Sequence, residues 1–279
     1  MLRLMLNRHP NLLVPFESGF IPVFYHRLGE YGDLADKENV RRLLANIAEY
    51  PLVKKGRHVG NPEAILARSV DSYASLVDAI FMTLAKAVGK NRWGDKTPSY
   101  VTEVDVLWKL FPGCHIIHMV RDGRDVALSN RNLAWGFRSL PRAAQDWRLK
   151  TIIGRKVGSV LGEHYLEVRY EDLVQGPKGT LRRICEYLGE PYDPGMLAYH
   201  ESASAEMPEE SLAFHQRSIS APDPSLAFAW KRRMSVPDRV IFEQIAGDAL
   251  DLFGYERERR RGSLGSRLMG LYYATLQRW

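Results

Sequence analysis

The feature that most restricts the fold of this chain is a mainly apolar run that ends abruptly in charge. His115-Ile-Ile-His-Met-Val120 reads as a parallel strand buried on both faces. Arg121-Asp-Gly-Arg-Asp125 follows at once, and a helical pattern restarts over residues 125–133. Tyr165-Leu-Glu-Val-Arg-Tyr170 is a second such strand, and Asn91-Arg-Trp-Gly-Asp95 is a short one. Helical periodicity predicts helices over 1–9, 36–50, 62–90, 103–110, 141–160, 177–188 and 236–253. Pro10, Phe111-Pro-Gly113, Gly189 and Gly254 stop four of them. Residues 201–228, rich in Ser, Ala, Pro and Glu, read as irregular. Strands alternating with helices predict an α/β fold, a parallel sheet flanked by helices. Ligands of such sheets sit beyond the carboxyl ends of the strands.

Composition narrows the functional classes. Hydrophobic residues make up 45% and charged residues 26%, as in ordinary globular proteins. No apolar run approaches the ~20 residues of a membrane span, and the first nine residues lack the features of a signal peptide. A net charge of +6 favours anionic partners. No basic stripe with interleaved aromatics points to nucleic acid. Cys114 and Cys185 read as reduced buried thiols, which fits a cytoplasmic protein. His115 and His118 lie three apart on a strand and so face opposite sides. They do not share a metal easily, and no metal is expected.

The turn after Val120 is where the chemistry is expected. Arg121 stands at the carboxyl end of a strand and beside a helix N-terminus. Helix amides, the helix dipole and a guanidinium fork all suit a phosphate there. Ser129, eight residues on and about one turn into the expected helix, can turn its hydroxyl to the same anion. A surface Arg–Asp cluster, with Asp122 or Asp125 as helix cap, explains the same residues equally well.

Beyond these local features, Arg121 followed by Ser129 resembles the 3′-phosphate-binding segment of sulfotransferases that use 3′-phosphoadenosine 5′-phosphosulfate (PAPS). Met1-Leu-Arg-Leu-Met-Leu-Asn-Arg-His-Pro10 resembles the helix just after that family's 5′-phosphosulfate loop. Gly94-Asp-Lys-Thr-Pro98 resembles its lysine-bearing strand end. Val168-Arg-Tyr-Glu-Asp-Leu173, with Pro177 and Leu188-Gly189 after it, resembles the strand and helix that carry an adenine-contacting tyrosine. Trp230-Lys231 with Gly254-Tyr255 resembles the C-terminal end. The order and spacing of these segments over roughly residues 1–256 carry the resemblance, which is to the bacterial and tyrosylprotein-like branch.

The resemblance implies a P-loop nucleotide-kinase-like fold and transfer of a sulfuryl group from PAPS, as co-substrate, to a hydroxyl or amine. Lys96 would meet charge developing at the transferring group, Tyr170 would lie against the adenine, and Arg121, Ser129 and Lys231 would bind the nucleotide. Their plain alternatives are a surface lysine paired with Asp95 and a core tyrosine; Trp147 reads as core. The small-molecule branch has a histidine after its Lys-Thr pair, but Pro98 stands here. Val14-Pro-Phe-Glu17-Ser-Gly fits the other branch, where a glutamate after the first helix takes the acceptor's proton. Glu17 is thus the expected base, with His26 and His58 as fallbacks.

The family's 5′-phosphosulfate loop, resembling Pro-Arg-Ser-Gly-Thr-Thr, is absent from the sequence, as is any Gly-x-x-x-x-Gly-Lys-Ser/Thr loop. No N-cap precedes the first helical residue. The expectation is a chain that starts inside its first helix, through a late start codon or shortening. Two alternatives follow: a non-catalytic nucleotide-binding remnant, and a nucleotide-kinase-like phosphotransferase. The acceptor, whether small molecule, carbohydrate or peptide, is not legible. Residues 257–279 form a tail apart from the 1–256 domain. There Leu264, Leu268, Leu271, Tyr272, Leu276 and Trp279 share a helical face after Arg257, Arg259, Arg260 and Arg261. Packing on the domain or self-association is expected of that helix, with peripheral membrane contact as the alternative.

Overall fold

The computed structural model describes residues 1–131, 136–137 and 139–258, with the single positions 265, 268 and 272. The chain opens with α1 (Leu2–Asn7), β1 (Leu12–Leu13) and α2 (Phe20–Tyr25). Then come α3 (Lys37–Glu49), α4 (Pro51–Gly56), α5 (Pro62–Leu66) and α6 (Tyr73–Ala87). The middle of the chain holds β2 (Arg92–Trp93), α7 (Val104–Leu110), β3 (Ile116–Val120), α8 (Gly123–Asn130), α9 (Leu140–Leu161) and β4 (Tyr165–Arg169). It closes with α10 (Tyr170–Gln175), α11 (Pro177–Leu188), α12 (Glu209–Ile219), α13 (Trp230–Arg233) and α14 (Val236–Leu252).

These elements form two compact units, residues 1–115 with 181–222, and residues 116–180 with 223–279. In the first unit β1 and β2 pair in parallel, Leu12 opposite Arg92 and Leu13 opposite Trp93. Its core takes Phe20 and Phe24 of α2, Leu43 and Ile47 of α3, and Leu76, Ile80 and Phe81 of α6. Phe81 stacks on Trp93 at 4.5 Å between ring centroids, which ties α6 to the strand end. In the second unit β3 and β4 pair in parallel from Ile116–Tyr165 to Val120–Arg169. Its core joins Val120, Trp147 of α9, Trp230, and Phe242, Ile245 and Leu250 of α14. Each large apolar side chain buried here contributes roughly 1.5–3 kcal/mol.

The parallel strands flanked by helices are as expected, at the expected places. Several details differ. The helix expected over 62–90 is two helices, because Ser72 and Ser75 form a capping box that starts α6 afresh. Helix α8 begins at Gly123, since the Asp122 carboxylate accepts the Arg124 amide at 3.0 Å. Ser129 therefore lies nearly two turns into the helix. Only Val120 of β3 is fully buried, because among the described residues each sheet has two strands and its flanks are left to side chains. Residues 209–219, expected to be irregular, are helical; Glu209 and Glu210 occupy the first turn, where negative charge favours the helix. Cys185 is buried and Cys114 half-buried, both as free thiols. No described helix is long and apolar enough to cross a membrane. The amphipathic tail lies outside the described residues, apart from positions 265, 268 and 272.

Candidate active site

The register of the β3–β4 pair builds one cluster of candidate residues, within the second unit. Val120 faces Arg169, so Arg121 and Tyr170 leave the carboxyl ends of neighbouring strands side by side. The Arg121 guanidinium lies over the Tyr170 ring, 4.4 Å from its centroid. One of its terminal nitrogens donates to the Leu226 carbonyl at 3.3 Å, while its buried Nε has no partner among the described residues. The turn beneath is held from two sides. Trp147 Nε1 donates to the Arg121 carbonyl at 3.0 Å, and the Asp122 amide donates to Glu171 at 3.0 Å. Asp125 accepts the Trp230 amide at 2.8 Å, which fastens the 226–231 segment to α8, and burial pushes its carboxyl pKa up. Within that segment Phe228 adopts a left-handed φ of 55°, rare for a residue with a β-carbon. Ser129 is exposed on the last turn of α8. Lys231 forms an exposed ion pair with Glu256 at 3.0 Å.

A separate cluster lies within the first unit, where the loop between β1 and α2 meets the end of β2. Glu17 pairs with Lys96. Asp95, one residue earlier in extended chain, turns the opposite way and accepts from Ser18 and, at 3.3 Å, from Thr97. Tyr100 OH lies 3.2 Å from Ser18 Oγ and accepts the Ile21 amide at 3.2 Å. The Gly19 amide donates to Thr97 at 3.3 Å. Gly19 has a φ of 66°, and a β-carbon there would lie 2.7 Å from Leu52, so the turn requires glycine. Arg3 of α1 donates to the Val14 carbonyl at 3.2 Å, and Asn7 accepts the Val14 amide at 2.9 Å. Lys96 and Arg3 also bear on the buried Met1 α-amino group, whose pKa burial above all pushes down to about 5.

Burial raises the Asp95 carboxyl above its ordinary 3.8, against the opposing effect of its hydrogen bonds. The folded chain therefore holds that proton more tightly than the unfolded chain. Stability from this group is present below 3.8 and lost as pH rises through the raised value. Asp95→Asn lacks the titration, so the melting temperature of wild type minus variant is expected to rise as pH falls through that window. A difference that is flat, or that shrinks toward acid, overturns the assignment.

Of the expected site residues, the structure brings Glu17 to Lys96 and Arg121 to Tyr170. The alternative pairing of Lys96 with Asp95 is not the one formed. Trp147 is core, as expected, and also anchors the Arg121 turn. His26 is exposed and 3.2 Å from Glu103. His58 is fully buried, with Nε2 2.7 Å from the Phe16 carbonyl and Nδ1 3.2 Å from the Val53 carbonyl, so neither nitrogen opens onto a substrate. His115 and His118 have separate partners, the Tyr187 and Tyr165 rings. Among the described residues no cluster of His, Cys, Asp and Glu could hold a metal ion. The sequence reading missed the Ser18–Asp95–Tyr100 network and the role of Asp125. Their signal was slight: a Ser-Gly after Glu17, and an aspartate on either side of Arg124.

Comparison with known proteins follows the same outline. Residues 1–194 match the model of the sulfotransferase family. The chain is similar to carbohydrate sulfotransferase 4 of Mus musculus, 24% identical over 176 residues that cover 54% of this chain and 44% of that protein. It is similar to the omega-hydroxy-beta-dihydromenaquinone-9 sulfotransferase Stf3 of Mycobacterium bovis, 27% identical over 179 residues, covering 58% of this chain and 41% of that one. The chain thus spans less than half the length of these relatives. Among solved structures, the sulfotransferase domain of the Synechococcus PCC 7002 olefin synthase superposes with a TM-score of 0.63 at 23% identity, covering 92% of this chain and 90% of that one. The sulfotransferase domain of the curacin biosynthetic pathway gives 0.59 at 19% identity, covering 92% and 93%. At that identity the two structures bear on the fold alone, and the fold is theirs.

Proposed function

Because this chain belongs to the sulfotransferase family, we propose that it transfers a sulfuryl group from PAPS to the hydroxyl or amine of an acceptor. The bond from sulfur to the 5′-phosphate oxygen breaks, and a bond from sulfur to the acceptor oxygen or nitrogen forms. Adenosine 3′,5′-bisphosphate leaves with the bonding pair, and Glu17 takes the acceptor's proton. Lys96 meets the negative charge that grows on the bridging oxygen, so the protein works by position and electrostatics. Tyr170 lies against the adenine, and Arg121 with Ser129 takes the 3′-phosphate; Lys231 adds a further cation. The proposed catalytic domain takes in residues 1–256. The names of the relatives favour a carbohydrate or a hydroxylated lipid as acceptor over a peptide.

One observation supports the donor: Arg121, at the end of β3, stacks on Tyr170, at the end of β4, with a buried Nε that no described residue satisfies. A buried donor left unmade costs about 1–3 kcal/mol, and a phosphate oxygen would satisfy it. Calorimetric titration with adenosine 3′,5′-bisphosphate tests this. Arg121→Ala is expected to raise its Kd by roughly 10–100-fold, the equivalent of about 1.5–3 kcal/mol for a charged hydrogen bond. Equal affinity in the two proteins overturns the site. Wild-type binding with no turnover across a panel of saccharides and hydroxylated lipids would favour a nucleotide-binding remnant instead.

A further inference from the structure

We infer that His58 is a positioning residue for Glu17, acting through the Phe16 carbonyl; the inference rests on reading Glu17 as the base. The loop from Phe16 to Gly19 is tied toward β2 and the residues after it by Glu17–Lys96, Ser18–Asp95 and the Gly19 amide on Thr97. On its other side Phe16, the residue before the base, meets His58 Nε2 at 2.7 Å across 42 positions of sequence. Fixing that carbonyl fixes the peptide plane from which the Glu17 side chain departs.

The chain goes to some lengths to seat this ring. His58 is fully buried, and its backbone amide and Nδ1 both lie on the Val53 carbonyl, at 3.1 and 3.2 Å. Arg57 before it adopts a left-handed φ of 53°, an uncommon conformation for a residue with a β-carbon, and this turns His58 inward. Gly56 leaves the room: a β-carbon there would lie 2.1 Å from His58 Cε1. The ring packs edge-on to Phe81 at 6.0 Å. An apolar side chain would fill this place without desolvating two ring nitrogens. What the imidazole adds is a donor aimed at the residue next to the base.

Turnover of the full-length protein with PAPS and its best acceptor from the saccharide and lipid panel is the readout, together with Kd for adenosine 3′,5′-bisphosphate. His58→Phe fills the volume without a donor, and is expected to lower kcat by up to about 100-fold, the scale of a misplaced catalytic group. Nucleotide Kd stays unchanged, and His58→Gln, whose amide reaches the carbonyl, restores most of kcat. In a Glu17→Gln background His58→Phe is expected to cost nothing more. Equal fold-losses in both backgrounds would mean that His58 serves the fold alone, which overturns the inference and leaves the base reading standing. Full activity in Glu17→Gln itself removes the base reading separately. Should His58→Phe fail to fold, His58→Gln against the shorter His58→Asn carries the same contrast, and equal kcat in these two overturns the inference.

Discussion

Arg124→Met is expected to destabilise the second unit by about 3–5 kcal/mol, the cost of removing one partner from a buried ion pair. The residue is fully buried. Its Nε and one terminal nitrogen grip both oxygens of Asp122 at 3.0 and 2.8 Å, and the other terminal nitrogen meets Glu243 at 2.6 Å. It also donates to the Glu256 carbonyl at 2.8 Å and lies over the Trp230 ring at 3.5 Å. Methionine would fill the space but leave two buried carboxylates unpaired. Asp122 caps α8, and Glu243, whose pKa burial already raises, accepts the Glu258 amide. Lysine keeps the charge but not the fork, so Arg124→Lys is expected to lose most of the same stability. Urea unfolding measures it. A loss under about 1 kcal/mol, the worth of an exposed pair, would mean that the network is not a unit. Lys54→Met, which breaks the exposed Lys54–Glu49 pair, is the silent control.

The second large effect is on rate. Glu17→Gln is expected to lower kcat by roughly 10²–10⁴-fold, the usual worth of a general base. The amide keeps an oxygen for Lys96 and nearly the same volume, so the loop should keep its shape. Affinity for adenosine 3′,5′-bisphosphate is expected to be unchanged. Equal turnover in the two proteins would move the base to His26, because His58 is fully buried with both ring nitrogens turned to protein carbonyls.

What the sequence made legible is what short-range pattern encodes. The strands at 116–120 and 165–169 are apolar runs that stop at charge, so their ends, and Arg121 and Tyr170 on them, could be read directly. Strand β1 could not, because two leucines carry no period. Helix α12 was hidden by a composition that resembles loop, although its acidic first turn is a helix signal. In the site, Lys96 was legible but its partner was not. Neighbours in sequence suggested Asp95, whereas alternation along extended chain sends Lys96 to Glu17 and Asp95 to Ser18. Contacts such as Ser18–Tyr100 and His58–Phe16 join positions 82 and 42 apart, beyond the reach of any periodicity. They had to be seen in space.

The Glu17–Lys96 pair implies an order of events. While it is closed, the carboxylate that the proposed reading assigns as base is held by the lysine. An acceptor that arrives alone would find that carboxylate already engaged. An anionic donor competes with Glu17 for the same ammonium, and on the proposed reading its arrival frees the carboxylate as it engages the lysine. On that reading the expected steady-state scheme is ordered, with PAPS binding first. Adenosine 3′,5′-bisphosphate should inhibit competitively against the donor at every acceptor concentration.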